Sequence, residues 1–261
     1  MIEIKNLSFS YRPEGPPVLA DISIRIRPGF NFLLGENGAG KTTLMKCVTG
    51  LMKPIQGQII VAGRDISTLK PKEMAGLVSY IPQAHVPAFN HLVTDVVLMG
   101  TTRTLRFYQT PDGRQTDRVL DILSRLGIAD LAARGYGEIS GGQRQLVLIA
   151  RALIQDSRIL IMDEPAGGLD FGNQVLLMRT LQDLAEAGYT ILLSSHNPQT
   201  AAWFATHVMI LNEGKVVAYG TPEEVMTERH LTAIYRHPVH IIKNNIEGAV
   251  RYCFYPASGK E

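Results

Sequence analysis

Apolar and polar residues follow one another along this chain with a period that changes from segment to segment, and each change marks an element. Ile2 to Phe9 reads as a strand. Arg12 to Pro17 is rich in turn formers, and Ile22, Ile24 and Ile26 then alternate with Ser23, Arg25 and Arg27 as in a half-buried strand. An antiparallel sheet is therefore expected ahead of Phe30–Leu34, which reads as a short buried strand. Lys41 to Thr49 should be helical and stop at Gly50. Beyond Pro54 and Gly57, Gln58–Val61 makes a further strand, Lys72–Gly76 a helical turn, and Leu77–Ile81 a strand again.

The character changes at Pro82–Gln83, and from about His85 to Gln155 the apolar spacing is helical. Thr94 can cap a helix through Met99, and Val119, Leu120, Ile122, Leu123 and Leu126 form a helical stripe ended by Gly127. Thr101–Gly113 between them is a polar connector. Strands return at Arg158–Met162, Tyr189–Leu193 and Val208–Leu211, separated by helices over Phe171–Ala187 and Pro198–Ala205. Asn212–Lys215 reads as a hairpin turn and Thr221–Pro222–Glu223–Glu224 as a capping box. The tail should form a hairpin around Asn244–Asn245. The pattern predicts one α/β domain. Its core comprises residues 1–84 and 156–238 and carries an N-terminal antiparallel β-subdomain; an inserted helical lobe spans 85–155 and a hairpin tail 239–261.

Gly35–Glu36–Asn37–Gly38–Ala39–Gly40–Lys41–Thr42–Thr43 falls between a predicted strand and a predicted helix with the spacing G-x-x-x-x-G-K-[ST]. Its glycines let backbone N–H groups turn toward phosphate oxygens, and the helix start adds the positive end of a dipole. Lys41 would reach the β- and γ-phosphates, and Thr42 would hold Mg²⁺. The apolar strand Ile159–Met162 ends in Asp163 and Glu164. Placed beside the phosphate-loop strand, Asp163 would lie near that metal, with Glu164 one residue closer to the γ-phosphate, where a base can orient water. Ser140–Gly141–Gly142–Gln143 opens a third feature, a helix whose apolar face runs through Leu146, Ile149 and Leu153. The Ser140 hydroxyl and the exposed N–H groups there make a second anion site.

Composition narrows the classes. The 261 residues are 45% hydrophobic and 19% charged, with a net charge of +2 and no run of five like charges, which argues against a nucleic-acid partner. No stretch approaches eighteen uninterrupted apolar residues, and Met1–Lys5 lacks the features of a signal peptide, so a cytosolic protein is expected. Cys47 and Cys253 are far apart and fit no metal spacing.

Ile139–Ser140–Gly141–Gly142–Gln143, in order with the phosphate loop and the acidic strand, closely resembles the signature of the ATP-binding cassette (ABC) family, and the resemblance covers nearly the whole chain. It implies a P-loop NTPase (RecA-like) fold, ATP and Mg²⁺ as ligands, and further roles residue by residue. Tyr11 matches the aromatic that stacks on adenine. Gln83 matches the glutamine that touches Mg²⁺ and water and joins the two lobes, and His196 matches the switch histidine at the γ-phosphate. Gly167–Gly168–Leu169–Asp170 resembles the loop that meets a partner subunit, although Gly168 and Ala166 depart from its frequent alanine and threonine.

In such cassettes ATP on one subunit's Lys41 is closed over by the other subunit's Ser140–Gly142, so a head-to-tail dimer is implied. The resemblance leaves three classes: an importer subunit, an exporter subunit and a soluble ribosome- or DNA-acting ATPase. One cassette per chain and a short Gln83–Ile139 interval disfavour the last. Val96–Gly100, Gln143–Leu146 and Thr221–Val225 resemble the importers of iron–siderophore, haem and cobalamin, a likeness shared with molybdate importers. The expected partners are a second copy, transmembrane permease subunits and, indirectly, an extracytoplasmic substrate-binding protein. The expected location is the cytoplasmic face of the membrane. Phe89, Leu92, Val93 and Phe107 are expected to line a groove for the membrane subunit.

Overall fold

The computed structural model describes residues 1–12, 14–83, 91–103, 113–246 and 249–256, and the side chains of all of these except 102, 103, 245–251 and 256. Strands β1 (Ile2–Phe9) and β2 (Leu19–Ile26) pair antiparallel, with Ile2, Ile4 and Leu7 buried on one face. Next, β3 (Gly29–Leu34) runs into the core and leads through a loop to helix α1 (Lys41–Val48). β4 (Gln56–Val61) and β5 (Arg64–Asp65) return to the first sheet and complete the order β2-β1-β4-β5.

After helix α2 (Pro71–Met74) the chain forms β6 (Val78–Ile81) and then leaves for the helical lobe: α3 (Val93–Leu98), a 3₁₀ segment Met99–Arg103, α4 (Gly113–Arg125) and α5 (Gly141–Leu153). It comes back as β7 (Ile159–Met162), α6 (Phe171–Glu186), β8 (Thr190–Ser195), α7 (Pro198–Phe204), β9 (His207–Asn212) and β10 (Lys215–Gly220). The last elements are α8 (Pro222–Val225), α9 (Glu228–Tyr235) and the hairpin β11 (Val239–Ile246) with β12 (Ala249–Pro256).

The central sheet has the order β10-β9-β3-β8-β7-β6, parallel except for β10. Strand periodicity divides its side chains between two cores. Phe30, Phe32, Leu34, Leu160, Met162, Ile191 and Leu193 pack with α5 and α6. Leu33, Ile159, Ile161, Leu192 and Met209 face the other way, onto α1 and β1. Buried on both faces, such strands carry continuous apolar runs, which is why Ile159–Met162 is apolar throughout. The β9–β10 turn places Glu213 at φ 45° and Gly214 at φ 74°, the paired positive values of a tight hairpin. Gly214 also donates to the Ala39 carbonyl, and a Cβ there would sit 2.3 Å from the Val18 carbonyl oxygen, so only glycine fits.

Several expectations are corrected. β7 is not beside the phosphate-loop strand, because β8 lies between β3 and β7. Thr94 lies inside α3 and does not cap it; the Val93 and Thr94 N–H groups are taken by the carbonyls of Arg134 and Ala132, which leaves a side-chain cap unnecessary. Asn244 and Asn245 pair with Arg251 and Val250 inside the terminal ladder, so the hairpin turns beyond them. Val93 is fully buried and cannot line a surface groove, whereas Leu92 is exposed. Phe89 and Phe107 lie outside the described residues. The pattern also left α9 unassigned, a helix whose start is capped by the Thr227 hydroxyl.

Candidate active site

The loop from Gly35 to Gly40 carries the chain from the carboxyl end of β3 to the start of α1. Gly40 takes φ 102°, and a Cβ there would lie 2.9 Å from Leu19 Cδ2, so both backbone angle and space call for glycine. Lys41 is buried, and its Nζ donates to the carbonyls of Gly35 at 2.7 Å and Glu36 at 3.0 Å. It also lies 3.9 Å from Glu164 Oε1. Burial pulls the Lys41 pKa below its ordinary value, opposed by the charges of Glu164, Asp163 and Glu36. The Lys41 ammonium thus stands desolvated among three acids.

Asp163 is the centre of the arrangement. Its backbone N–H bonds the Ile81 carbonyl, and its buried side chain accepts from two hydroxyls at once. Thr42 Oγ1 donates to Oδ2 at 2.6 Å, and Ser194 Oγ donates to Oδ1 at 2.6 Å. Ser194 Oγ in turn accepts the Glu164 N–H at 2.8 Å. Glu164 has φ 45°, a left-handed conformation unusual for a residue with a side chain, and this bond helps to hold it. Its carboxylate accepts from Gln83 Nε2 at 3.0 Å and stands 3.5 Å from His196 Nδ1. The structure thus brings together Lys41, Thr42, Gln83, Asp163, Glu164 and His196.

All of these but His196 border a cleft of about 470 Å³, lined also by Tyr11, Val18, Glu36, Asn37, Gly38, Gly40 and Thr43; His196 lies to the other side of Glu164, beside Ser195 and Asn197. Tyr11 is 60% exposed, packs edge-on against Phe9 and shares a 3.0 Å hydrogen bond with Thr43. An open aromatic face at the mouth of a polar cleft suits a flat ligand. Among the described residues that line the cleft, none comes from Ser140–Gln143 or is Asp170. Ser140 caps α5: its Oγ accepts the Gln143 N–H at 3.3 Å, and Gln143 Oε1 accepts the Ser140 N–H at 3.0 Å. Asp170 caps α6 and accepts from the Asn173 N–H at 2.9 Å and its amide at 2.7 Å. Those bonds hold the Asp170 carboxyl below its usual range.

Sequence reasoning missed Ser194. It follows an apolar strand like many serines, and only the intervening position of β8 makes it a bridge between Asp163 and Glu164. It also missed Tyr80, whose phenol is pushed up to about 12 by burial and then by Asp163.

With this geometry in place, comparison with known proteins settles the family. The sequence profile of the ABC transporter family matches residues 19–167. An ATP-binding protein of Helicobacter pylori named for iron chelatin transport is 37% identical, over 93% of this chain and 95% of its own. A hemin import ATP-binding protein of Rhodococcus jostii is 34% identical, over 90% of this chain and 80% of its own. Among solved structures, a metal-chelate type ABC transporter in an inward-facing conformation is similar with a TM-score of 0.86 and 28% identity, over 98% of this chain and 96% of that one. The chain belongs to the ABC transporter family as one of its ATP-binding subunits, ATPases that act as dimers and couple hydrolysis to transport.

Proposed function

We propose that this chain is the Mg²⁺-dependent ATPase of an importer of metal chelates, of the iron-chelate or haem kind, working as a head-to-tail homodimer on cytoplasmic faces of two permease subunits. The cargo class is supported by the names of the two relatives and by the likeness to a metal-chelate transporter along almost the whole chain. Cargo itself would be selected by an extracytoplasmic binding protein and the permease, since the cassette carries only the engine. Among the described residues no helix is long and apolar enough to cross a membrane, so the chain would bind the membrane through those partners.

One observation carries the chemical reading: Thr42 and Ser194 together fix Asp163, and the next residue, Glu164, faces Gln83 and His196. Lys41 and the loop N–H groups would bind the β- and γ-phosphates. The hard oxygen donors of Thr42 and Asp163, with the Gln83 amide near them, fit Mg²⁺. Bound there, the ion would neutralise charge on the phosphate oxygens. Glu164 would accept the proton of the attacking water, Gln83 would hold that carboxylate in aim, and His196 would contact the γ-phosphate. Ser140–Gln143 of a second copy would close over the nucleotide, with Gly167–Asp170 at the same junction.

The test is reconstitution with the permease in vesicles, loading iron-chelate or haem binding proteins outside. Cargo-dependent stimulation of ATPase activity together with uptake is the expected result. ATPase activity that never responds to any such cargo, with efflux instead, would favour an exporter.

A further inference from the structure

His196 stands in the link between β8 and α7, and its ring is 63% exposed. The ring's contact with Glu164 is long, at 3.5 Å. Its backbone, by contrast, is held from a distant part of the chain. Tyr235, the last residue of α9, donates its hydroxyl to the His196 carbonyl at 2.8 Å. The tyrosine packs against the helix-side core, and burial, then Glu36, pushes its phenol well above the usual range. It remains a proton donor throughout the physiological pH range.

The neighbouring contacts frame this bond. Arg236 turns the chain in the left-handed region at φ 54°, a conformation kept by a non-glycine residue where its surroundings require it. Its guanidinium lies 3.4 Å from Glu36 of the phosphate loop and 3.7 Å from Glu213 of the β9–β10 turn. Downstream of His196, the Gln199 amide on α7 donates to the Tyr252 carbonyl on β12. Residues 235, 236 and 252 thus grip the histidine link, the phosphate loop and the following helix. The arginine pairs are solvent-exposed and contribute little. The tyrosine is itself partly buried against the core, so its bond to the His196 carbonyl is the one that can set geometry.

We propose that Tyr235 is a positioning residue for His196, its hydroxyl fixing the carbonyl and hence the place at which the imidazole stands beside Glu164. The inference rests on the reading of His196 as the γ-phosphate contact. Small displacements of a group acting in the transition state lower turnover more than ground-state binding. Tyr235→Phe removes only the hydroxyl. In the full chain it should lower kcat about fivefold, the scale of one hydrogen bond, and leave KM for ATP within about twofold.

A merely structural tyrosine is distinguished by the double variant. If Tyr235 acts through the histidine, Tyr235→Phe has no further effect on the residual activity of His196→Ala. Wild-type kcat in Tyr235→Phe, or an undiminished fivefold loss in the His196→Ala background, overturns the proposal. If His196→Ala itself hydrolyses ATP normally, the reading of the histidine falls instead. Positioning is then judged by the ring resonances of isotopically labelled His196: they shift in Tyr235→Phe if the hydroxyl holds the link, and unmoved resonances overturn it.

Discussion

Around the phosphate loop, the candidate side chains are tied to other elements of the same chain. Thr42 on α1 reaches Asp163 after β7, Ser194 on β8 reaches both Asp163 and Glu164, and Gln83 after β6 reaches Glu164. Around Ser140 the ties stay local: hydroxyl to Gln143 N–H, and Gln143 amide back to Ser140 N–H. The first region is assembled by tertiary structure, whereas the second is a well-capped helix start that faces outward. The contrast teaches that the phosphate-loop groups are fixed by distant elements of the same chain, whereas on the proposed head-to-tail reading the Ser140 region would be completed by a second copy.

The sharpest way to test the phosphate-loop groups is Glu164→Gln. Turnover should fall about a hundredfold or more while ATP binding persists, the scale of a lost general base. Near-normal hydrolysis by the purified variant would remove Glu164 from that role. The Ser140 region is tested by mixing Lys41→Ala and Ser140→Arg chains, each inactive alone. Heterodimers would pair one intact composite site with one doubly damaged site, so an equal mixture should recover up to about a quarter of the wild-type sites. No recovery, with heterodimers shown to form, would mean that both residues serve the same chain's nucleotide.

Ser194→Ala should have the next largest effect, about tenfold on kcat, because it strips a hydrogen bond from a buried carboxylate and another from a strained backbone N–H. Unchanged turnover and melting temperature would show the bridge to be dispensable. The smallest effects separate two adjacent glycines. A Cβ on Gly142 would sit 2.8 Å from Asn173 Oδ1, whose amide is already engaged with Asp170, so Gly142→Ala should cost about 1–3 kcal/mol, read as a melting point several degrees lower. A Cβ on Gly141 meets only Leu169 Cδ2 at 3.6 Å. Gly141→Ala should therefore melt like wild type and show its defect only in ATP-driven dimerisation, measured by light scattering in the Glu164→Gln background. Equal melting losses at both positions would erase the distinction.

Features encoded locally were legible in the sequence. The phosphate loop, the acidic strand end, the position of the α5 start and the Glu213–Gly214 turn each fit within a few residues, so spacing alone indicated them, although the reciprocal Ser140–Gln143 cap did not show in it. What escaped depends on which strand neighbours which. The apolar runs of β7 and β8 are interchangeable by pattern, and placing β7 beside β3 concealed the part Ser194 plays between Thr42's partner and Glu164. Leu92 begins a helix without a capping side chain because carbonyls more than thirty residues away satisfy the N–H groups, which no local rule can detect. The Tyr235–His196 and Arg236–Glu36 contacts likewise join segments with no sequence relation.

The position of β3 in the central sheet has a consequence for how the molecule is made. Both its neighbours, β8 (Thr190–Ser195) and β9 (His207–Asn212), come from far down the chain. A ribosome adding about 5–20 residues per second takes roughly ten to forty seconds to pass from the end of β3 to the end of β9. Until β8 is made, a strand of Phe30, Phe32, Leu33 and Leu34 has neither neighbour available, although the loop that follows it is already complete as a sequence. Until residue 212 is made, β3 therefore keeps at least one edge unpaired, the kind of exposed apolar strand edge that favours wrong pairing.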